Sequence, residues 1–204
     1  MSVLPDLKGK ELEGLVKERA VEYLEMNLAD ITACGVQAVM TGTAVDKSPL
    51  WQVIQSLPDF EGVTGFGTQF IFDCKVCSQS SFDLSKYRAE IRGPKSRQLR
   101  HMQKRSRFGV PCFFLMHWNS RKGVTFEEPA KTYLFPVEES EFWHAFERAE
   151  KRSITRKDCI DFGVECKWSI YGKGRKPRPD VLPPVLARIE AGMWQRSESA
   201  LFSE

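Results

Sequence analysis

The sequence has no apolar run near the ~18 residues that would span a bilayer, which excludes a transmembrane helix. Its first twenty residues are rich in Lys and Glu and lack the apolar core of a secretory signal, so a cytoplasmic location is expected. Cysteine is sparse. The six thiols, at 34, 74, 77, 112, 159 and 166, are too scattered over 204 residues for a secreted disulfide scaffold and read as reduced and mostly buried. Cys74 and Cys77 form one CxxC, but no second pair follows at zinc-finger spacing; a strand Cys beside a turn Cys is the simpler account. The three histidines, His101, His117 and His144, are too dispersed for a His-based site, and His117 reads as a hydrogen-bonded core residue. Internal repeats and long low-complexity segments are absent. A composition of 42% hydrophobic and 28% charged residues is that of an ordinary folded protein, and the length suits one domain over 1–204.

Net charge is nearly absent too: 30 basic against 27 acidic residues, a total of +3. The distribution is more telling. Residues 1–30 hold four basic and seven acidic side chains. Residues 86–107 hold nine basic ones (Lys86, Arg88, Arg92, Lys95, Arg97, Arg100, Lys104, Arg105, Arg107) against Glu90 alone. A second cluster, Lys173, Arg175, Lys176 and Arg178, lies among Gly and Pro. Such blocks suit contact with a phosphate backbone; they also suit a solvated helix face.

Apolar residues recur at helical spacing over 8–29, which predicts an amphipathic helix. A strand is expected over Gly35–Val45, then an excursion over Lys47–Gly67 with an apolar patch at Leu50–Leu57. Thr68–Val76 alternates cleanly, with Phe70, Phe72, Cys74 and Val76 on one face and Ile71, Asp73 and Lys75 on the other. That pattern predicts a sheet packed on its aromatic face and working on the opposite one. Lys95–Ser106 reads as a basic helix stopped by Gly109, and Pro111–Trp118 as a strand buried on both faces. A strand over Thr132–Val137 and helices after Ser140, over Ser153–Asp161 and over Pro184–Trp194 complete an α/β domain.

Pro58-Asp59 precedes Asp73-Cys74-Lys75 with thirteen residues between the two Asp, the spacing of a PD-(D/E)xK nuclease. Carboxylates at the two positions can converge on one hard cation, since magnesium takes oxygen ligands and is commonly held by one or two carboxylates plus substrate phosphate. Lys75, two residues after Asp73, shares its face and can orient the attacking water or stabilise transition-state charge. Gly62, Gly65 and Gly67 permit a tight hairpin between the two Asp. The same pattern also fits a surface strand with an exposed Asp–Lys pair.

An ordered series of further motifs runs along the chain: Gly9-Lys10-Glu11-Leu12-Glu13, Asp59-Phe60-Glu61-Gly62, Phe70-Ile71-Phe72-Asp73-Cys74-Lys75, Ser81-Phe82-Asp83-Leu84, Arg97-Gln98-Leu99-Arg100-His101-Met102, Tyr133-Leu134-Phe135-Pro136 and Pro177-Arg178-Pro179-Asp180. In this order they resemble the RecU family of Holliday junction resolvases, over nearly the whole chain. The resemblance implies a restriction-endonuclease-like core, with a central mixed β-sheet flanked by helices. It implies a magnesium-dependent endonuclease, with manganese able to substitute, that works as a homodimer on four-way DNA junctions in recombination and repair. Metal ligation falls to Asp59 and Asp73, with Gln98 as a further ligand, transition-state stabilisation to Lys75 and a supporting role to Glu13. Gln98 equally suits a helix surface, and Glu13 a solvated charge.

Arg88, Arg92, Lys95, Arg97, Arg100, Lys104, Arg105, Lys173, Arg175 and Lys176 are the expected DNA contacts. The sequence departs from the family in having Asp73 for Glu and Leu57-Pro58 where the family has Thr. Residues 46–58 hold one basic residue, Lys47, so they form a reduced counterpart of the family's basic stalk, and 172–204 form a basic loop and helix. Trp51, in the excursion, suits stacking on a splayed base or a hydrophobic contact equally. Rival readings are the same core acting on linear or damaged duplex, a non-catalytic DNA-binding protein on this fold, and an RNA nuclease.

Overall fold

The computed structural model describes residues 4–34, 37–43, 49–55, 58–88, 90–91, 93–123, 127–138, 140–170 and 177–201, with 37–43, 49–55 and 192–201 described by backbone alone. The chain begins with helix α1 (Gly9–Glu25) and strands β1 (Ala29–Ala33), β2 (Gln37–Thr43), β3 (Pro49–Gln55), β4 (Phe60–Thr64), β5 (Gln69–Cys77) and β6 (Ser81–Asp83). A 3-10 turn at Ser85–Tyr87 leads to α2 (Pro94–Arg107) and β7 (Cys112–Trp118). Then come β8 (Arg121–Lys122), β9 (Glu127–Glu128), β10 (Lys131–Pro136), α3 (Glu141–Glu147), β11 (Ser153–Thr155) and α4 (Arg156–Phe162). The last elements are β12 (Val164–Glu165), β13 (Trp168–Ser169), β14 (Arg178–Pro179) and α5 (Leu182–Leu201).

The protein is α/β. Its central six-stranded sheet has the order β1-β4-β5-β7-β10-β12, with helices packed against it. Only the β5–β7 pairing is parallel; the other pairings in this sheet are antiparallel. Parallel neighbours need a crossover connection. Here the crossover carries α2, which brings the basic block back over the sheet.

The alternation read in β5 holds in space. Phe70, Phe72 and Cys74 join the cluster that includes Leu12, Val16 and Tyr23 of α1 and Leu182 and Val185 of α5. Ile71 and Cys77 join the opposite cluster, with Leu99 and Met102 of α2 and Phe114, Phe135, Phe142 and Trp143. The second face is covered as well, and the reading of a surface strand with an exposed Asp–Lys pair is overturned: Asp73 is fully buried and Lys75 nearly so. The two faces differ in what covers them, α1 on one and α2 with the 3-10 turn on the other. β7 is buried along its whole length, as its unbroken apolar run requires. His117 is a core residue, with Nδ1 at 2.8 Å from Thr132 Oγ1 and Nε2 at 3.1 Å from the Pro5 carbonyl. All six cysteines are free, five of them buried.

Four element boundaries differ from expectation. The first helix stops at Glu25 because Asn27 turns left-handed at φ 55°. Leu28 N–H then donates to the Tyr23 carbonyl and Asn27 N–H to Leu24, a Schellman close, and the chain enters β1 at Ala29. The excursion carries regular structure in its apolar patch: β3 pairs with β2 in a separate antiparallel hairpin. Ser153–Thr155 is a strand paired with β6, because Thr155 caps α4: its Oγ1 accepts from Asp158 N–H while Asp158 Oδ2 accepts from Thr155 N–H. The last helix begins at Leu182, since prolines 183 and 184 are tolerated in a first turn, where the N–H groups lack helical partners. Among the described residues no helix is long and apolar enough to cross a membrane.

Candidate active site

The hairpin of β4 and β5 creates the site. Its turn passes through Gly67 at φ 83°, where a Cβ would be strained. Phe70 lies over Gly62, its ring 2.4 Å from where a Cβ would stand, so only glycine fits under it. The register pairs Phe60 with Phe72, whose rings stack with centroids 5.1 Å apart. The next pair outward is therefore Asp59 and Asp73, side by side on the α2 face. Asp59 Oδ2 accepts the Cys74 N–H at 2.8 Å, which fixes that carboxylate at the strand end.

Asp73 Oδ1 accepts from Gln98 Nε2 at 2.5 Å, and Oδ2 pairs with Lys75 Nζ. Lys75 also donates to the Cys74 carbonyl at 3.2 Å, and its ammonium lies 5.8 Å from the centre of the Phe114 ring. Gln98 reaches Asp73 because α2 turns Gln98, Leu99 and Met102 inward. Pro94 at the first helical position and Gly109 at φ 83° just beyond the end bound that helix. Glu13 of α1 is half-buried, close enough for its charge to act on the Cys74 thiol.

Burial dominates the electrostatics. It raises the Asp73 carboxyl to about 6 and the Asp59 charge adds to this, against the pull of Lys75. For Lys75 burial works downward, but the Asp73 carboxylate outweighs it and the ammonium is held more firmly than usual. The Cys74 thiol is pushed far up by burial and the two neighbouring carboxylates, so it stays protonated. Lys95 is lowered by burial and by the charge of Lys75.

The donors present fit a magnesium-like ion. The Asp59 carboxylate, just before β4, lies close enough to act on that of Asp73 in β5, and Asp73 already meets a cation, the Lys75 ammonium. Among the described residues no group of three or more His, Cys, Asp and Glu is placed to hold a metal. A hard ion here would rest on Asp59, Asp73, water and substrate phosphate. Gln98 meets Asp73 through its amide N–H, which orients that carboxylate.

The basic helix presents one continuous stripe. Arg97, Arg100, Lys104 and Arg107 are exposed and fall at i, i+3, i+7 and i+10, opposite the buried Met102. Arg105 lies on the flank, donating to Gln69 Oε1 at 2.8 Å. Arg88 is half-buried with its guanidinium 5.7 Å from the Phe146 ring centre. Lys95 stands apart from the stripe, with Nζ 5.9 Å from the Tyr87 ring centre. Arg92, Lys173, Arg175 and Lys176 lie outside the described residues, as does the side chain of Trp51.

A family profile, RecU or recombination protein U, matches residues 7–171. The chain belongs to the RecU family. Among curated proteins none matches it at a significant level. The RecU match covers Glu13, Asp59, Asp73, Lys75, Gln98 and the whole of α2, and stops before the cluster at 173–178. One residue beside the candidate site, Tyr87, was not singled out from sequence. Tyr87 and Lys86, the latter already part of the basic block, belong to the 3-10 turn beside Lys75, and Tyr87 lies close enough for the charges of Lys75 and Asp73 to act on its hydroxyl. The signal for Tyr87 was the Leu84-Ser85 step out of a strand into the basic block, which marks a turn but not where it points.

Proposed function

We propose that the chain is a magnesium-dependent endonuclease that resolves four-way DNA junctions in recombination. Family membership supports the resolvase reading. The observation that supports the chemistry is the close approach of Asp59 to Asp73 across the hairpin, with Lys75 paired to Asp73. Asp59 and Asp73 hold the ion, which when bound supplies an activated water and charge neutralisation at the scissile phosphate. Lys75 stabilises the negative charge that develops on the phosphoryl oxygens, and its buried partner keeps it protonated for that role. Gln98 fixes the Asp73 carboxylate, while Glu13 adds negative charge from the α1 side. The α2 stripe holds the DNA backbone.

A symmetric junction cut on both strands needs two sites related by a two-fold axis, which a homodimer supplies. The exposed Val21, Leu24, Leu28 and Phe66 offer apolar surface for such a contact. Cytoplasmic location follows from work on DNA.

The test is cleavage of a synthetic four-way junction with Mg²⁺ and with EDTA. Cleavage is expected with Mg²⁺ alone. Lys75→Ala should abolish it, by at least ~10²-fold, while binding is retained. Undiminished cleavage by Lys75→Ala would sink the site assignment. Equal cleavage of linear duplex would remove the junction reading and keep the nuclease.

A further inference from the structure

A groove of about 470 Å³ opens beside Lys75, between the end of β5 and the start of α2. Lys86, Tyr87 and Lys95 form one side of it, with Ser78 and Ser81 opposite on the chain that leaves the strand. Its one acidic residue, Asp83, is spent locally, accepting from Ser85 N–H at 2.8 Å and Ser85 Oγ at 2.7 Å. Lys75 is spent on Asp73. Lys86 and Lys95 make no ion pair among the described residues. The Tyr87 hydroxyl is buried, turned toward Lys75, and makes no hydrogen bond of ordinary geometry.

Two ammonium groups facing one groove next to a third repel one another, and the low dielectric of a half-closed site strengthens that repulsion. A buried hydroxyl with no hydrogen bond of ordinary geometry is unfavourable as well. An anion with several acceptor oxygens relieves both. A second phosphate follows within ~3.4 Å of rise along one strand, so a strand that sets one phosphate against Lys75 brings its neighbour toward this groove.

We propose that Lys86 and Lys95, with the Tyr87 hydroxyl, bind the phosphodiester adjacent to the one that is cut, on the same strand. This rests on Lys75 marking the cutting site. The pair are positioning residues. They fix the register of the strand over Asp59 and Asp73, separately from the outer stripe of α2, which meets the DNA on another side of the helix.

The experiment measures binding of a labelled four-way junction in EDTA across a range of salt, for wild type, Lys86→Ala, Lys95→Ala and the double variant. Each alanine is expected to reduce the slope of log affinity against log salt by about 0.9, and the pair by about twice that. Lys86→Arg/Lys95→Arg should keep the wild-type slope. A scan with single neutral methylphosphonates along one strand should find a position that weakens wild type and is silent in the double alanine variant. An unchanged slope in the double variant overturns the proposal. A changed slope with no position that becomes silent also overturns it, because the lysines would then act as diffuse charge. Binding is read without metal, so a reduced slope in a protein that never cleaves would sink the catalytic reading and not the groove.

Discussion

Arg19 of α1 and Asp73 of β5 are both buried charges, and their surroundings differ in kind. Arg19 reaches far along the chain. It donates to Glu22 at 2.6 Å, to the Ser169 carbonyl at 2.5 Å and to the Arg178 carbonyl at 3.1 Å. Arg178 in turn donates to Glu22 at 2.5 Å and to Glu18 at 2.7 Å, and Tyr23 donates to Asp180. Charges alternate in sign, and the network ties β13, β14 and the start of α5 to the first helix. Asp73 instead is left with a raised pKa, chiefly by its burial and further by a second carboxylate across the hairpin, against the pull of its cationic partner, Lys75. One cluster uses its charges to hold distant segments together. The other concentrates negative charge at one point, at a cost in stability, where a divalent cation would relieve it.

The contrast can be broken most directly at the Asp73 cluster. Asp73→Asn/Lys75→Met removes both charges and keeps an acceptor for Gln98. Junction cleavage should fall by at least ~10²–10³-fold, while urea unfolding shows stability unchanged or raised by up to about 4 kcal/mol. Arg19→Met should do the reverse, costing about 3–5 kcal/mol by leaving Glu22 buried beside fewer cations. Similar losses of stability in both variants would erase the distinction between the clusters.

A smaller effect sharpens it. In the metal-free protein the Asp73 carboxyl is raised from 3.8 to about 6. Between those values the folded chain keeps a proton that the unfolded chain releases. That contribution to stability is fully present below pH 3.8 and is lost as pH rises through about 6, about 3 kcal/mol in all. Asp73→Asn has no such proton. Its stability relative to wild type should therefore improve from about pH 4 to about pH 7 in urea titrations. Parallel curves would place the strain elsewhere.

Much of the site was legible because it follows period-two alternation. Once Asp73 and Lys75 share a face with Asp59 opposite, only the hairpin register remained to be found, and the glycines marked it. The basic helix was legible from its run of Lys and Arg and from Gly109 as its stop. Burial of the site was not legible, because Asp and Lys read as solvent-facing until the crossover lays α2 over them. The first helix was read too long because Leu28 continues its apolar spacing, although Asn27 carried the stop signal. Leu50 to Gln55 read only as an apolar patch within an excursion, since the pairing with β2 is a non-local fact. The Arg19 network escaped altogether: residues 19, 22, 169 and 178 share no local pattern.

The crossover helix makes charge and phase separable properties of this protein. Gln98 on the inner side of α2 and the arginines on its outer side are locked at fixed rotational offsets, ~100° for each residue between them. One alanine inserted between Gln98 and Lys104 would leave net charge and helicity as they are. It would also swing the Lys104–Arg107 end of the stripe by about a quarter turn relative to Asp73. On the proposed reading such a chain would still bind DNA by its charge but present the wrong phosphate to the carboxylates, behaving like a gear cut one tooth out of step.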